Sequence, residues 1–212
     1  MSRGRGRPTA DTAGPDREAI LDAALAAFAE HGFAGTSVRE VARSLGVSHN
    51  VVAHHVGSKD ELWRAAVDHG FGGLLGELIT VLAEPPGDDL ERLRALVVRF
   101  VEANAARPAL LRIIQQEAAT PGPRLDHLYD TYIEPVRRFG ESVLDALAAE
   151  GKVRSTSAVL LYFLMTHGAG GPLALPALAS RFGAGVDPTD PDAVHRYAVD
   201  AVGVLFEGLG RY

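Results

Sequence analysis

His49, Asn50, His54 and His55 crowd into one short stretch of this chain, and their side chains suit recognition better than catalysis. An Asn amide can pair with the N6/N7 edge of adenine, and a small apolar group such as Val51 or Ala53 can meet a thymine methyl. His54 can donate to a guanine or a phosphate. The competing reading is a plain solvated helix face. A shared metal is disfavoured, because on a helix positions 49 and 54 stand about 140° apart and positions 54 and 55 about 100° apart. The chain carries no H-E-x-x-H, no G-x-S-x-G, no P-loop and no G-x-G-x-x-G after a strand. No Glu-x-x-His of the helical di-iron type occurs either. The expectation is therefore a protein that is not an enzyme and holds no metal or cofactor.

The elements that must position these residues are written in residues 37–62, SVREVARSLGVSHNVVAHHVGSKDEL. Ser37-x-x-Glu40 and Ser58-x-x-Glu61 are two helix starts of the same kind, in which the Ser oxygen accepts a backbone N–H and the Glu reaches back. Between them, Leu45-Gly46-Val47-Ser48 reads as a stop, a tight turn and a new N-cap. The pattern predicts a helix, a short turn, a short helix of about two turns, and a third start. At 100° per residue, Val52 and Val56 share one side of the short helix and Asn50, Ala53 and His54 the other. The valines close a core against Val38, Val41 and Leu45 and the Ile20/Leu25/Phe28 face. The polar side then remains for the major groove.

The chain has 212 residues, 47% hydrophobic and 23% charged, as a folded globular protein requires. It has no Cys, which excludes disulfides and thiolate zinc sites. The first residues, MSRGRGRP, lack an apolar run, so no secretory signal is expected and a cytoplasmic location is. Residues 1–60 balance 7 basic against 7 acidic side chains, so the whole net charge of −6 lies beyond them. A neutral N-terminal part can still bind phosphates, since contact geometry is local. Ala158 to Ala179 is uncharged, but Gly168, Gly170, Gly171, Pro172 and Pro176 interrupt it and His167 sits within it. A buried or interface helix pair is expected there rather than a membrane span.

Helical periodicity covers the rest. Residues 16–31 form the first helix, ended by Gly32 and Gly35. The fourth helix runs from Ser58 to about Leu82, with Gly70, Gly72, Gly73 and Gly76 predicted to bend it midway. AEPPGD at 83–88 breaks the chain. Helices follow from Asp88 to about Arg107, from Pro108, from Pro123 to Glu150 with a kink at Pro135, from Ser155 to about Thr166, and from Pro191 to the end. The fold class is all-α, about nine helices: a three-helix helix-turn-helix head and a helical body. Residues 1–14 are an Arg/Gly tail, 15–70 the head and 71–212 the body. Arg3, Arg5 and Arg7 could serve as a minor-groove arm.

Residues 17–67 resemble the N-terminal domain of the tetracycline-repressor (TetR) family of bacterial transcriptional regulators. The motifs that carry the likeness are REAILDAALAAFAEHGFAGTSVREVA, LGVS and HHVGSKDELW. The resemblance implies a DNA-binding head, a ligand-binding body and a homodimer. It places the DNA-binding recognition helix on Ser48–His55, with base reading on His49, Asn50, Val51, Ala53 and His54 and on Arg39 of the preceding helix. It places phosphate contacts on Thr36, Ser37, His55 and Lys59. Val51 and Ala53 depart from the family's Thr or Ser and its Tyr or Phe, so the operator sequence does not transfer from relatives. A small-molecule pocket is expected among Phe100, Gln115, Gln116, Tyr129, Tyr132, Tyr162, Met165 and His167. The last two helical segments, about 155–180 and 191–210, are implied to form the dimer interface. The expected function is a repressor that binds a palindromic double-stranded DNA operator and is released by a small, mostly apolar effector. A ligand-independent regulator or activator, or a helical carrier or enzyme, are the other classes.

Overall fold

The computed structural model describes residues 15–83, 88–183 and 185–209, and among them every regular element is helical. The chain divides into two compact units, Met1–His69 and Gly70–Tyr212. The tail with Arg3, Arg5 and Arg7 lies outside the described residues.

In the first unit, α1 (Arg17–Gly35), α2 (Val38–Ser44) and α3 (His49–Val56) are followed by α4 (Lys59–Ala83), which continues into the second. Asp16 caps α1 by accepting the Ala19 N–H at 2.8 Å. Gly32 breaks the helix with φ 70° and ψ 172°, where glycine alone bears no Cβ penalty. Ile20, Leu21, Ala24, Leu25 and Phe28 of α1 are buried, with Val41 and Ala42 of α2, Val52 and Val56 of α3, and Leu62 and Trp63 of α4. Each large side chain so buried contributes about 1.5–3 kcal/mol of transfer free energy. Burial of one stripe per helix therefore holds this unit together, and it fixes which side of α3 faces out.

Both Ser-x-x-Glu starts behave as read. Ser37 Oγ accepts the Glu40 N–H at 3.2 Å, and Ser58 Oγ accepts the Glu61 N–H at 3.3 Å. Glu61 Oε2 accepts the Ser58 N–H at 2.7 Å, which completes the reciprocal pair. Ser48 differs. It occupies the N-cap position of α3, but its hydroxyl makes no capping bond, and the first turn closes instead by Val51 N–H on Ser48 O at 3.0 Å.

The second unit begins within α4, which stays helical through Gly70, Gly72, Gly73 and Gly76. Its other elements are α5 (Asp89–Ala106), α6 (Pro108–Glu117), α7 (Pro123–Leu128), α8 (Glu134–Ala149), α9 (Ala158–Phe163), α10 (Gly171–Ala174), α11 (Pro176–Arg181) and α12 (Pro191–Leu209). Helix α5 packs along α12. Leu93, Val97, Leu144, Leu147, Leu161, Val202 and Phe206 form one core cluster. Val101, Leu111, Leu173, Val194 and Ala198 anchor another.

Two expected interruptions take the form of π-helical turns. The predicted kink at Pro135 is a π-helical turn, Tyr129–Ile133, that joins α7 to α8. Pro135 has no N–H to give, and the wider i→i−5 turn that precedes it delivers the Glu134 N–H to Tyr129 O. The predicted stop near Thr166 is a second π turn, Leu164–Ala169, which carries the helix on into α10. Gly170 closes it, donating to Met165 O at 2.7 Å. A Cβ on Gly170 would stand 2.4 Å from Thr166 O, so no other residue fits without a shift. The break comes only at Leu175, before Pro176.

Gly57 ends α3 at φ 75° and ψ −130°. A Cβ there would meet Glu61 Oε2 at 2.4 Å, the same oxygen that caps α4. Gly57→Ala is therefore expected to cost about 1–3 kcal/mol from backbone strain and also to displace the cap. Gly46→Ala, at φ 68° with open space around it, should cost less. Urea unfolding of the two full-length variants checks this, and equal losses would mean that the Glu61 contact is immaterial.

Candidate nucleic-acid interface

Helix α3 is short because Gly46 and Gly57 bound it, and amphipathic because its two buried valines lie four residues apart. Val52 is fully buried and Val56 nearly so. His49, Asn50, His54 and His55 are exposed, while Val51 and Ala53 are half-buried between the two sides. A polar strip with small apolar flanks thus faces out from a rigid backing. The His54 and His55 rings stand edge to face at 5.9 Å.

The flanking residues divide. Arg39 projects from α2 and is exposed, and Ser48 is exposed at the start of α3. Ser37 is half-buried, and its hydroxyl is engaged by Glu40, accepting the backbone N–H and meeting the carboxyl. Lys59 lies with Nζ 4.4 Å from the Phe33 ring centroid and 3.4 Å from Ala34 O, which leaves two of its three N–H groups unspent. This braces the first turn of α4 against the end of α1. Thr36 is a correction. It is 2% exposed, and its hydroxyl reaches Gly32 O at 2.9 Å and Ala27 O at 3.1 Å. The side chain satisfies carbonyls left open where α1 breaks, so its hydroxyl is not available to a phosphate.

The second unit holds a cleft of about 620 Å³ between α6, the α7–α8 run and α9 with its π turn. Gln115, Tyr129, Tyr162 and His167 line it, as do Arg137, Val159 and Phe163, which the sequence did not single out. Phe100, Tyr132 and Met165 border smaller inner cavities instead, of about 100 and 50 Å³. Gln116 is exposed on α6 and lines none of these three spaces. The spacing Glu134-x-x-Arg137-x-x-x-Glu141, an i,i+3 and i,i+4 pairing, was the available signal for Arg137. Its guanidinium gives Nε and Nη2 to Glu134 at 2.6 and 2.9 Å and Nη1 to Glu141 at 2.9 Å. Hydrogen bonds from Arg137, Arg138 and the Tyr129 hydroxyl hold the Glu134 carboxyl far below the usual carboxylate range. No helix among the described residues is long and apolar enough to cross a membrane.

Comparison with known proteins agrees with this layout. A family model described as bacterial regulatory proteins, tetR family, matches residues 20–66. The chain is 31% identical over 163 residues to the HTH-type transcriptional repressor KstR2 of Rhodococcus jostii (strain RHA1), covering 74% of this chain and 78% of that one. Other curated relatives, from mycobacteria, are 45% identical over 76 residues, so the match spans only 38% of their length. The fold is that of the ketosteroid transcriptional regulator KstR2 of Mycobacterium tuberculosis, at TM-score 0.73 and 23% identity over 94% of this chain and 99% of that one. It is also that of AibR, solved with isovaleryl coenzyme A and operator DNA, at TM-score 0.68 and 22% identity over 90% and 98%.

The two caps make this surface sensitive to acid. The side-chain bond with Ser37 lowers the Glu40 carboxyl, and the Ser58 N–H lowers that of Glu61. A depressed folded pKa means that the unfolded chain binds more protons. The stabilisation is complete above the unfolded value, about 4.3, and is lost as pH falls through the folded one. The melting temperature of the wild type should fall through this range more steeply than that of Glu61→Gln. Parallel melting curves between pH 7 and 3 would show that the cap carries no such linkage.

Proposed function

This chain belongs to the TetR family of bacterial regulatory proteins, and we propose that it represses transcription as a homodimer that binds a palindromic operator and is released by a small effector. One observation carries the reading: α3 turns Asn50, His49 and His54 outward over a face locked by Val52 and Val56. In this reading α3 enters the major groove. Asn50 meets an adenine edge, Val51 and Ala53 meet thymine methyls, and Arg39, Ser37, His55 and Lys59 fix the register. Two copies place their recognition helices about one DNA turn, or 34 Å, apart or somewhat more.

Dimerisation is supported by the apolar side chains that the last helices leave in solvent. Leu160, Phe163, Leu175, Leu178, Phe182 and Val204 are exposed, Phe182 to 78%. A surface of this kind marks an association site. A second copy is the occupant that suits a regulator of two-fold DNA sites. The cleft is the effector site, its volume within the range of small-molecule pockets. AibR, captured with both an acyl-coenzyme A and operator DNA, supports the pairing of the two ligands on one fold. The effector acts by biasing α4, the helix shared by both units, toward a half-site spacing that no longer fits the groove.

Selection of bound DNA from a random pool tests the class, and a recovered palindrome is expected. An unenriched pool would refute the reading. On the recovered site, Asn50→Ala should cost about 1–3 kcal/mol and relax the preference at one adenine. Uniform loss across all sequences would assign Asn50 to the backbone instead.

The glycines of α4 supply a second test. A Cβ on Gly72, Gly73 or Gly76 would meet nothing within 4 Å, so alanines fit there. The triple alanine variant should gain about 2.5–3 kcal/mol in stability from helix propensity. In a reporter strain it should also hold repression under conditions that release the wild type. Release at the wild-type level would remove bending of α4 from the mechanism.

A further inference from the structure

The cleft in the second unit is bordered by two π turns on facing runs, Tyr129–Ile133 and Leu164–Ala169. Such turns are rare and concentrate at functional sites. They bring together an unusual polar set. Arg137 is the one formally charged side chain among the described residues that line the cleft. Its charge is already met by Glu134 and Glu141, and Arg138 Nε stands 2.7 Å from Glu134. Two arginines and two carboxylates cancel, so the wall presents no surplus cation to a ligand anion.

Tyr162 and His167 are differently placed. The Tyr162 hydroxyl is buried and has no hydrogen-bond partner among the described residues. Its residue borders the cleft and both smaller cavities. Burial pushes the phenol up to about 12, so it stays a neutral donor. An orphan buried hydroxyl costs free energy that a ligand acceptor would recover. Thr166 Oγ1 donates its single proton to Tyr162 O at 2.8 Å. His167 Nδ1, 2.8 Å from Thr166 Oγ1, must then donate to that hydroxyl oxygen. In the neutral ring this leaves Nε2 as an acceptor.

Building on the effector site assigned above, we propose that the part of the effector buried in this cleft is an uncharged, largely hydrocarbon body bearing a carbonyl-type acceptor that takes the Tyr162 hydroxyl, and that a carboxylate is excluded. The body lies along Ile114, Leu125, Ile133 and Val159. A carboxylate in the same place would have to draw Arg137 away from Glu134, or lose its hydration with no counter-charge in return.

The test uses two probes of equal chain length, 2-decanone and decanoate, titrated into the full-length protein without DNA and followed by calorimetry. The ketone is expected to bind at least tenfold more tightly than the carboxylate. Tyr162→Phe should keep its melting temperature, since only an unpartnered hydroxyl is lost, and should weaken ketone binding about tenfold. Decanoate binding as tightly as the ketone would overturn the proposal, as would failure of the ketone to bind or an unchanged ketone affinity in the variant. None of these outcomes touches the operator selection, so failure here and failure of the regulator reading remain separable.

Discussion

The junction between α3 and α4 turns on two hydrogen bonds shared by Ser58 and Glu61. They satisfy N–H groups that a helix start leaves open, and they fix the first residue of α4. Gly57 ends α3 at a positive φ, and Glu61 Oε2 occupies the space a Cβ at position 57 would need. The turn that follows Asn50 and His54 is thus shaped by a glycine and by a carboxylate on the next helix. Lys59, between the two capping residues, ties the same turn to the end of α1 through Phe33 and Ala34. The outward strip of α3 is precise because four helices meet behind it, each contributing buried apolar side chains.

Magnitudes separate what holds the second unit from what adjusts it. Residues of α5 and α12 in one core cluster, Leu93, Val97, Val202 and Phe206, each bury an apolar side chain worth about 1.5–3 kcal/mol. The ion pairs on the same helices are partly solvated, and exposed pairs contribute about 0–1 kcal/mol. Arg99 bridges Glu77 of α4 and Glu102, and Glu102 in turn meets His195 of α12 at 2.7 Å. Burial fixes the packing, and these pairs set the register between helices that already touch.

What was legible in the residues followed the range of the interaction. The capping boxes, the Gly46 turn and the inward valines are local, depending on residues within one turn, and the structure has each in its expected place. Thr36 was misread because its hydroxyl closes the break at Gly32, a site visible only once α1 has folded. The π turns were missed for a like reason. A proline signals a lost N–H, but whether the chain kinks or widens depends on the packing around it. In the body, aromatic and amide residues drew attention while Arg137 did not. A charged residue reads as surface until its partners, three and four residues away, are placed beside a cleft.

Trp63 is the chain's single tryptophan, and it is buried near the start of α4, within the first unit. The second unit has no indole of its own. Intrinsic tryptophan fluorescence thus reports from the part that carries α3. Set beside far-ultraviolet circular dichroism, which weights all helices by length, it resolves whether the two units unfold together or in sequence. The chain needs no label for that measurement.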